Sequence, residues 1–290
     1  MYSTLITVEQ LQALQPSGQP LMVFDCSFDL AQPQAGRAMF EDHHIAGAVY
    51  ADLNTDLSAK GDPHTTGAQS GGRHPLPSRE TFASWLQSVG FDHSMQAVVY
   101  DRQGANYCGR LWWMLKWLGH EPVAVLDGGL QAWAAAGGAQ ASGAYALQNA
   151  NAAPFAVSAS KVTLLSADTV LRHLGRSEQT IVDARATPRF KGEVEPLDPV
   201  AGHIPGALNR PFIQNLTPEG FFKPAAVLRA EFDALLGTQS AQHVVHHCGS
   251  GVSAIPNLLA MEVAGLTGSA LFAGSWSEWC SDATRPVAKG

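Results

Sequence analysis

Apolar residues along the chain occur in short runs, and each run is followed by a helical pattern. Runs at 21–25, 97–101 and 180–183 end in Asp, and the residues before it are mostly apolar. Such runs are typical of strands buried on both faces of a sheet, and their alternation with helices is typical of crossover connections. The pattern predicts an α/β fold built on parallel sheets that carry helices on both faces.

Two segments with apolar residues on nearly every side predict deeply buried helices. The first covers 108–118, with Gly119 in the position of a C-terminal cap, and the second covers 253–264. We expect Ser253 to be the N-cap of the second helix. Pro256 then falls in the first turn, where a missing N–H group leaves no intrahelical bond unmade.

The pattern of the first half of the chain recurs in the second half. Four landmarks appear twice in the same order: a run ending in Asp (21–25, 180–183), His-Ile-x-Gly-Ala (44–48, 203–207), a second run (97–101, 243–248) and a segment with Gly and Trp (129–133, 274–279). A repeat this long predicts a duplicated domain rather than a short-period solenoid.

The stretch 137–160 between the two copies is rich in Ala, Gly, Ser and Asn and shows no apolar period. This composition favours an exposed linker. We therefore predict a first domain at 1–140, a linker at 141–160 and a second domain at 161–290.

Charge and hydropathy exclude several classes of protein. The net charge is -7, and the absence of any run of Lys and Arg excludes a nucleic-acid-binding surface. The most apolar window, 111–118, contains Lys116 and is much shorter than the roughly 20 residues of a membrane span. The N-terminus shows neither a basic leader nor an apolar stretch, so we expect no export and no membrane association.

The four cysteines, Cys26, Cys108, Cys248 and Cys280, have wide and irregular spacings. These spacings fit neither a disulfide framework nor a paired metal-binding motif, and they indicate a reducing cytoplasm. Among them Cys248 stands out, because it ends a predicted strand and precedes the glycine-rich loop 249–253 and a helix. Ligands bind at this edge of open α/β sheets, and the loop N–H groups with the helix N-terminus would hold an anion and favour the nucleophilic thiolate.

The first copy supplies an internal control for this loop. Its equivalent segment, 101–107, begins with Asp101 where the second copy has Cys248. We therefore expect the second domain to be catalytic and the first to be a scaffold.

The chain resembles the tandem-domain rhodanese and 3-mercaptopyruvate sulfurtransferase family over nearly its whole length. The loop Cys-Gly-Ser-Gly-Val-Ser-Ala at 248–254 is similar to the mercaptopyruvate-type active loop, whereas the rhodanese type carries Arg and Lys where this chain has Gly249 and Ser250. Further similar signatures lie at 183–185, 189–190, 202–207 and 274–279.

This resemblance implies a two-step sulfur transfer through a persulfide on Cys248, without metal or organic cofactor. It implies mercaptopyruvate as donor, thiosulfate as the alternative, and cyanide, a small thiol or thioredoxin as acceptor. Ser250 and His74 match the first two members of a Ser-His-Asp relay, whose third position falls on Asn54. The implied substrate-binding residues are Arg189, Arg185, Gly249, Gly251, Val252 and Ser253.

The family pattern is incomplete at one place. Mercaptopyruvate enzymes carry a second Arg in an acidic, proline-rich stretch, and the corresponding residues 193–199 contain none. Arg210 is the alternative source of this charge.

Three other interpretations are less consistent with the residues. A cysteine phosphatase of the same fold needs Arg at the sixth position after the cysteine, where this chain has Ala254. A metal site at His243, His246, His247 and Cys248 is disfavoured because the adjacent strand residues His246 and His247 point to opposite faces. A catalytically silent rhodanese-like regulator usually lacks the cysteine.

Overall fold

The computed structural model describes residues 1–60, 67–144 and 154–290, and the chain divides into two units. Unit 1 comprises Met1–Ala59, Pro77–Lys161 and Pro218–Phe221, and unit 2 comprises Lys60–Leu76, Val162–Thr217 and Phe222–Gly290. The predicted boundaries place 60–76 in the first domain, whereas this segment is part of unit 2. No apolar repeat marks it, so sequence order was the only guide to its place.

The sheet of unit 1 has five parallel strands. In chain order, the strands of this unit are β1 (Leu5–Ile6), β2 (Leu21–Asp25), β3 (His44–Ile45), β4 (Val49–Tyr50), β5 (Gln96–Tyr100), β6 (Val123–Leu126) and β7 (Gln140–Ala141). The order in the sheet is β1–β6–β5–β2–β4, while β3 and β7 form a separate antiparallel ribbon. β5 is the central strand of the sheet, and Asp101 follows it directly.

Helices cover both faces of this sheet. They are α1 (Val8–Leu14), α2 (Ala35–Asp42), α3 (Arg79–Ser88), α4 (Cys108–Trp117) and α5 (Gly129–Ala135). On one face Val98 packs in a core with Leu11 of α1 and Trp133 of α5. On the other face the ring of Phe24 lies 6.0 Å from that of Trp85 in α3.

The predicted buried helix at 108–118 is confirmed. All ten residues of α4 are buried, and Gly119 follows with φ +89°, a left-handed conformation that glycine adopts without strain.

The sheet of unit 2 repeats that of unit 1 strand for strand. Its strands are β8 (Thr163–Leu164), β9 (Thr180–Asp183), β10 (Leu208–Asn209), β11 (Val244–His247) and β12 (Ala270–Leu271), all parallel, in the order β8–β12–β11–β9–β10. Each takes the place of its counterpart in unit 1, with β11 at the position of β5. The predicted α/β class and the duplication are confirmed.

The helices of unit 2 are α6 (Ala167–Arg172), α7 (Thr187–Lys191), α8 (Ala225–Leu236), α9 (Ile255–Val263) and α10 (Ser275–Trp279). On one face of the sheet Val245 packs with Val170 of α6 and Trp276 of α10. On the other face the Nε2 atom of His246 lies 3.1 Å from the sulfur of Met261 in α9. This sheet, too, carries helices on both faces.

The predicted N-cap of the second buried helix is wrong. Helix α9 begins at Ile255, with Ala254 as N-cap and Pro256 in the first turn. The chain first makes a turn in which the N–H group of Ile255 donates to the carbonyl oxygen of Val252 at 3.1 Å. Ser253 therefore stays in the loop that follows the strand.

The predicted linker at 141–160 is only partly visible, because 145–153 lie outside the described residues. Its last residues belong to unit 1: Phe155 is buried, and its ring stacks on His93 with centroids 3.9 Å apart. Within the described ranges, no helix combines the length and the apolar character that crossing a membrane requires.

Candidate active site

The centre of unit 2 is the loop between the central strand β11 and helix α9. Cys248 follows the strand directly and is 2 % exposed. Its N–H group donates to the hydroxyl of Ser275 at 3.1 Å, and its carbonyl oxygen accepts from the N–H group of Trp276 at 3.0 Å. These bonds fix the backbone of the cysteine against the start of α10.

The loop depends on glycine at one position. Gly251 has φ +74°, and a Cβ atom placed on it would lie 2.0 Å from the carbonyl oxygen of Ala273. Any side chain at this position would collide with backbone, so the residue type is required by the close approach of two chain segments.

The equivalent loop of unit 1 shows what such a backbone binds. The carboxylate of Asp101 accepts four backbone hydrogen bonds of 2.8–3.0 Å, from the N–H groups of Gln103, Ala105, Tyr107 and Cys108. Burial raises the pKa of this carboxyl, and the four donors oppose that effect because they favour the carboxylate. The backbone N–H groups of this loop therefore form a cradle for a negative group. In unit 1 the carboxylate of Asp101, a side chain of the same loop, occupies the cradle.

In unit 2 the first residue of the equivalent loop is Cys248, whose side chain is shorter than that of Asp101. Among the residues the structure describes, the N–H groups of Ser250, Val252 and Ser253 donate no hydrogen bond. Three donors in one short loop can stabilise negative charge on a group attached to the sulfur.

The structure brings His74 and Ser250 together. The Nδ1 atom of His74 lies 2.8 Å from the hydroxyl oxygen of Ser250, and both residues are buried. The predicted third position is different: Asn54 belongs to unit 1, where its N–H group donates to the carboxylate of Asp52 at 2.7 Å. That carboxylate also accepts from the N–H group of Thr55 and so closes a local turn.

Two arginines surround the first glycine of the loop. A Cβ atom placed on Gly249 would lie 3.5 Å from Nη1 of Arg189 and 2.9 Å from Nη2 of Arg73. Both guanidinium groups form ion pairs with the buried carboxylate of Asp198. Arg189 was predicted from the sequence; Arg73 was missed, although it stands beside His74.

Arg185 has a different environment from Arg189. It is buried, makes ion pairs with Asp183 and Glu195, and lies 4.7 Å from the ring centroid of Trp276. Through these contacts Arg185 connects the end of strand β9 with Glu195 and with helix α10. Arg210, the alternative second arginine, is bound to Asn215 at 2.9 Å and to Glu231 at 2.7 Å, in a cluster that includes Phe232.

The two histidines before Cys248 diverge as predicted. His246 approaches Met261, and Nε2 of His247 lies 3.5 Å from the carboxylate of Asp183. Burial lowers the pKa of His246 to about 3 and also lowers the pKa of His247. For Asp183, burial alone would raise the pKa, but the positive charge of Arg185 contributes to a net lowering. His247 and Asp183 thus form a buried polar pair at the ends of the neighbouring strands β11 and β9.

Comparison with known proteins agrees with this geometry. The Rhodanese-like domain profile matches residues 7–136 and 166–282. The chain is 44% identical over 287 residues to a probable 3-mercaptopyruvate sulfurtransferase of Pseudomonas aeruginosa, covering 99% of this chain and 98% of that protein. It is 38% identical to a putative thiosulfate sulfurtransferase of Mycobacterium tuberculosis, over 99% of this chain and 97% of the relative.

A solved structure shows the same fold. The 3-mercaptopyruvate sulfurtransferase from Leishmania major superposes with a TM-score of 0.79 at 28% sequence identity, covering 95% of this chain and 74% of that one. Both halves of the chain therefore have counterparts in known sulfurtransferases.

Proposed function

This chain belongs to the rhodanese-like sulfurtransferase family, and we propose that it transfers a sulfur atom from 3-mercaptopyruvate to a thiol or cyanide through a persulfide on Cys248. The observation that carries this proposal is the pair of equivalent loops. One cradle holds the carboxylate of Asp101 on four N–H groups, and the other places a thiol at the same position. A persulfide on Cys248 extends the side chain and carries negative charge into the cradle.

The first half-reaction breaks the carbon–sulfur bond of the donor. The thiolate of Cys248 attacks the donor sulfur, a sulfur–sulfur bond forms, and the electron pair of the broken bond leaves with the carbon as the enolate of pyruvate. In this proposal the hydroxyl of Ser250 passes a proton to the departing group, and its contact with His74 supports this role. Arg189 adds positive charge beside the loop for the donor's carboxylate.

The second half-reaction regenerates the thiolate. An acceptor thiolate or cyanide attacks the outer sulfur of the persulfide, the sulfur–sulfur bond breaks, and its electron pair returns to Cys248. The acceptors we propose are a small thiol, thioredoxin or cyanide. All four cysteines are unpaired, which supports a reducing compartment such as the cytoplasm.

Thiosulfate is the second candidate donor, and it leaves as sulfite in the same first step. The arginine pair at Gly249 favours it, because a dianion gains from two cations, and one relative is named for this activity. The loop opposes it, because Gly249 and Ser250 replace the Arg and Lys of the rhodanese type. For thiosulfate the loop lacks two charge-assisted contacts, whereas for mercaptopyruvate the only absent contact is the second Arg of the stretch 193–199. Mercaptopyruvate should therefore be the better donor by about tenfold or more.

Steady-state kcat/KM for the two donors tests this proposal directly. The mass of donor-treated protein should rise by one sulfur, and a dithiol should remove it. Cys248→Ser should abolish both the added mass and turnover, while Cys280→Ser, a change at a buried cysteine whose pKa is raised by burial, should leave them in place. Turnover of either donor by Cys248→Ser would contradict the assigned nucleophile, and an equal or higher kcat/KM for thiosulfate would favour the rhodanese activity.

A further inference from the structure

A cavity of about 380 Å³ lies in unit 1, between the first turn of α1 and the end of α5. Its volume is within the range of sites that bind small ligands. Ala135 and Ala136 form part of its wall, and Phe221 adds an aromatic ring. The charged residues of its described lining are Glu9 and Asp127, and both are acidic.

The equivalent place in unit 2 can be identified from two matching hydrogen bonds. Nε1 of Trp133 donates to the carbonyl oxygen of the residue six positions later, at 3.0 Å. Nε1 of Trp279 donates to the carbonyl oxygen of the residue seven positions later, at 2.8 Å. The residue directly before the acceptor is Gly138 in unit 1 and Arg285 in unit 2, so these two residues correspond.

The side chain of Arg285 fills this place in unit 2 and is only 12 % exposed. Its Nη1 atom donates to the carbonyl oxygen of Glu278 at 2.7 Å. Its Nη2 atom lies 3.7 Å from the carboxylate of Asp168, and its Nε atom lies 3.7 Å from that of Asp282. Its Cζ atom lies 5.9 Å from the ring centroid of Trp279. Two carboxylates, a carbonyl oxygen and an aromatic ring therefore surround one guanidinium group.

The residues that bind Arg285 have counterparts at the cavity of unit 1. Three residues of the cavity lining correspond by position to three that contact the arginine: Glu9 to Asp168, Ala132 to Glu278 and Ala136 to Asp282. The first pair lies two residues after the N-caps of α1 and α6, and the others are matched by their distance from the tryptophans. Asp127 supplies the second carboxylate that Ala136 lacks. Unit 1 thus has the surroundings of a guanidinium group, whereas Gly138 lacks the side chain that would provide one.

The first turn of α1 suits a cation better than an anion. The N–H group of Gln10 donates to the hydroxyl of Thr7 at 3.3 Å, and the N–H group of Thr7 donates to the side chain of Gln10 at 2.9 Å. A hydrogen bond from the side chain of Thr7 lowers the pKa of the Glu9 carboxyl, so this group is an anion at neutral pH. An anionic ligand would therefore be repelled.

We propose that this cavity binds a guanidinium group on a short aliphatic stem, with the carboxylate of Glu9 as its partner, Asp127 as a second negative charge and the ring of Phe221 against its face. The ligand takes the place that Arg285 fills in the second copy. Its source is either a small guanidinium compound or an Arg side chain of another polypeptide. The proposal does not depend on sulfur transfer, because none of the residues that line the cavity belongs to the loop of Cys248.

Butylguanidinium is a probe for this site, and butylurea is its neutral counterpart of the same shape. In calorimetric titration of the reduced full-length protein, we expect butylguanidinium to bind with a Kd of about 1 mM or below and butylurea to bind about tenfold more weakly or less. Glu9→Gln should weaken binding of butylguanidinium about tenfold, because it removes the paired charge. Glu80→Gln is the matched control, since Glu80 is exposed at the same position in the first turn of α3, and it should leave Kd unchanged.

Arg285→Ala tests the comparison between the two copies. This change removes the guanidinium group of unit 2 and should lower Tm. Butylguanidinium should then raise the Tm of the variant by more than it raises the Tm of the native protein, because the variant offers a second place to bind. Butylurea should show no such difference. If butylguanidinium stabilises the variant no better than butylurea does, the comparison fails and the assignment is overturned.

A blocked pentapeptide with a central Arg between alanines separates the two sources. Binding at least as tight as that of butylguanidinium would identify the side chain of a polypeptide, and binding of butylguanidinium alone would identify a small compound. Ala135→Arg, a change at an exposed residue of the cavity wall, supplies a guanidinium group from the chain itself and should abolish binding of both probes. Equal binding of butylguanidinium and butylurea, or an unchanged Kd in Glu9→Gln, would refute the proposal.

Discussion

The imidazole of His74 reaches the hydroxyl of Ser250 at 2.8 Å, although the two residues are 176 positions apart in the chain. The contact holds the hydroxyl proposed for proton transfer two residues after Cys248, the proposed nucleophile. Mercaptopyruvate needs such a group because its carbon must be protonated after the sulfur leaves. Sulfite, the product of thiosulfate, departs as a stable anion and needs no proton.

The first prediction follows from this difference between the donors. Ser250→Ala and His74→Gln should lower kcat for mercaptopyruvate by about 100-fold, within the range of general acid–base catalysis, and should affect thiosulfate much less. Parallel assays with both donors on the same preparation provide the control. An equal loss for both donors would mean that the pair only shapes the loop.

The second prediction concerns Arg189. Its replacement by Ala removes a positive charge from the loop and should cost about 1.5–3 kcal/mol in transition-state binding for both donors, measured as kcat/KM. Arg229→Ala is the matched control, because its ion pair with Asp233 is exposed on α8. If kcat/KM is unaltered in Arg189→Ala, this arginine acts only in the ion pairs with Glu195 and Asp198.

The third prediction converts the loop toward the rhodanese type. Arg at Gly249 and Lys at Ser250 add two cations and remove the hydroxyl that His74 binds, so the ratio of kcat/KM for thiosulfate to that for mercaptopyruvate should rise by about tenfold or more. Gly249→Ala adds only a methyl group, and this control should not raise the ratio. The loop argument is refuted if the double substitution leaves donor preference unchanged.

The fourth prediction concerns stability at acidic pH. His246 is fully buried, and burial, with smaller contributions from His247 and Arg210, lowers its pKa to about 3. Unfolded chains bind a proton there near pH 6.5, so the stability that a neutral His246 contributes is present above pH 6.5 and is lost as the pH falls toward 3. At pH 5 the loss for this one group is about 2 kcal/mol.

Thermal or urea denaturation at pH 7.5 and pH 5 measures this effect. His246→Leu removes the group that takes up a proton on unfolding, so the difference in free energy of unfolding between the two pH values should be smaller than in the native protein. Equal differences in the two proteins would show that other groups govern acid unfolding.

The position of Cys248 between a buried strand and a helix could be predicted from the sequence because this structure is local. A buried strand, one cysteine, two glycines and a helix follow one another within 244–263, and the duplicated loop at Asp101 confirmed the pattern. The error at Ser253 has an equally local reason. N-cap preference is a weak signal, and the turn between Val252 and Ile255 delays the helix.

Arg73 and Arg185 show where prediction from the sequence stops. A family signature suggested Arg185 as a substrate-binding residue, but its partners Asp183 and Glu195 are identified only by the folded structure. Arg73 lies in a segment without apolar periodicity, so nothing in the local pattern indicates that it packs against α10. Long-range placement of polar segments depends on single contacts that a sequence pattern does not record.

The membership of 60–76 in unit 2 has a consequence for inheritance. The coding sequence for 161–290 specifies the cysteine and its cradle but neither His74 nor Arg73. A fragment made from the second half alone would lack both, and recombination that exchanged one half for a diverged copy would separate them from Ser250 and Arg189. The second half of the gene therefore depends on the first for two side chains that lie beside its own loop.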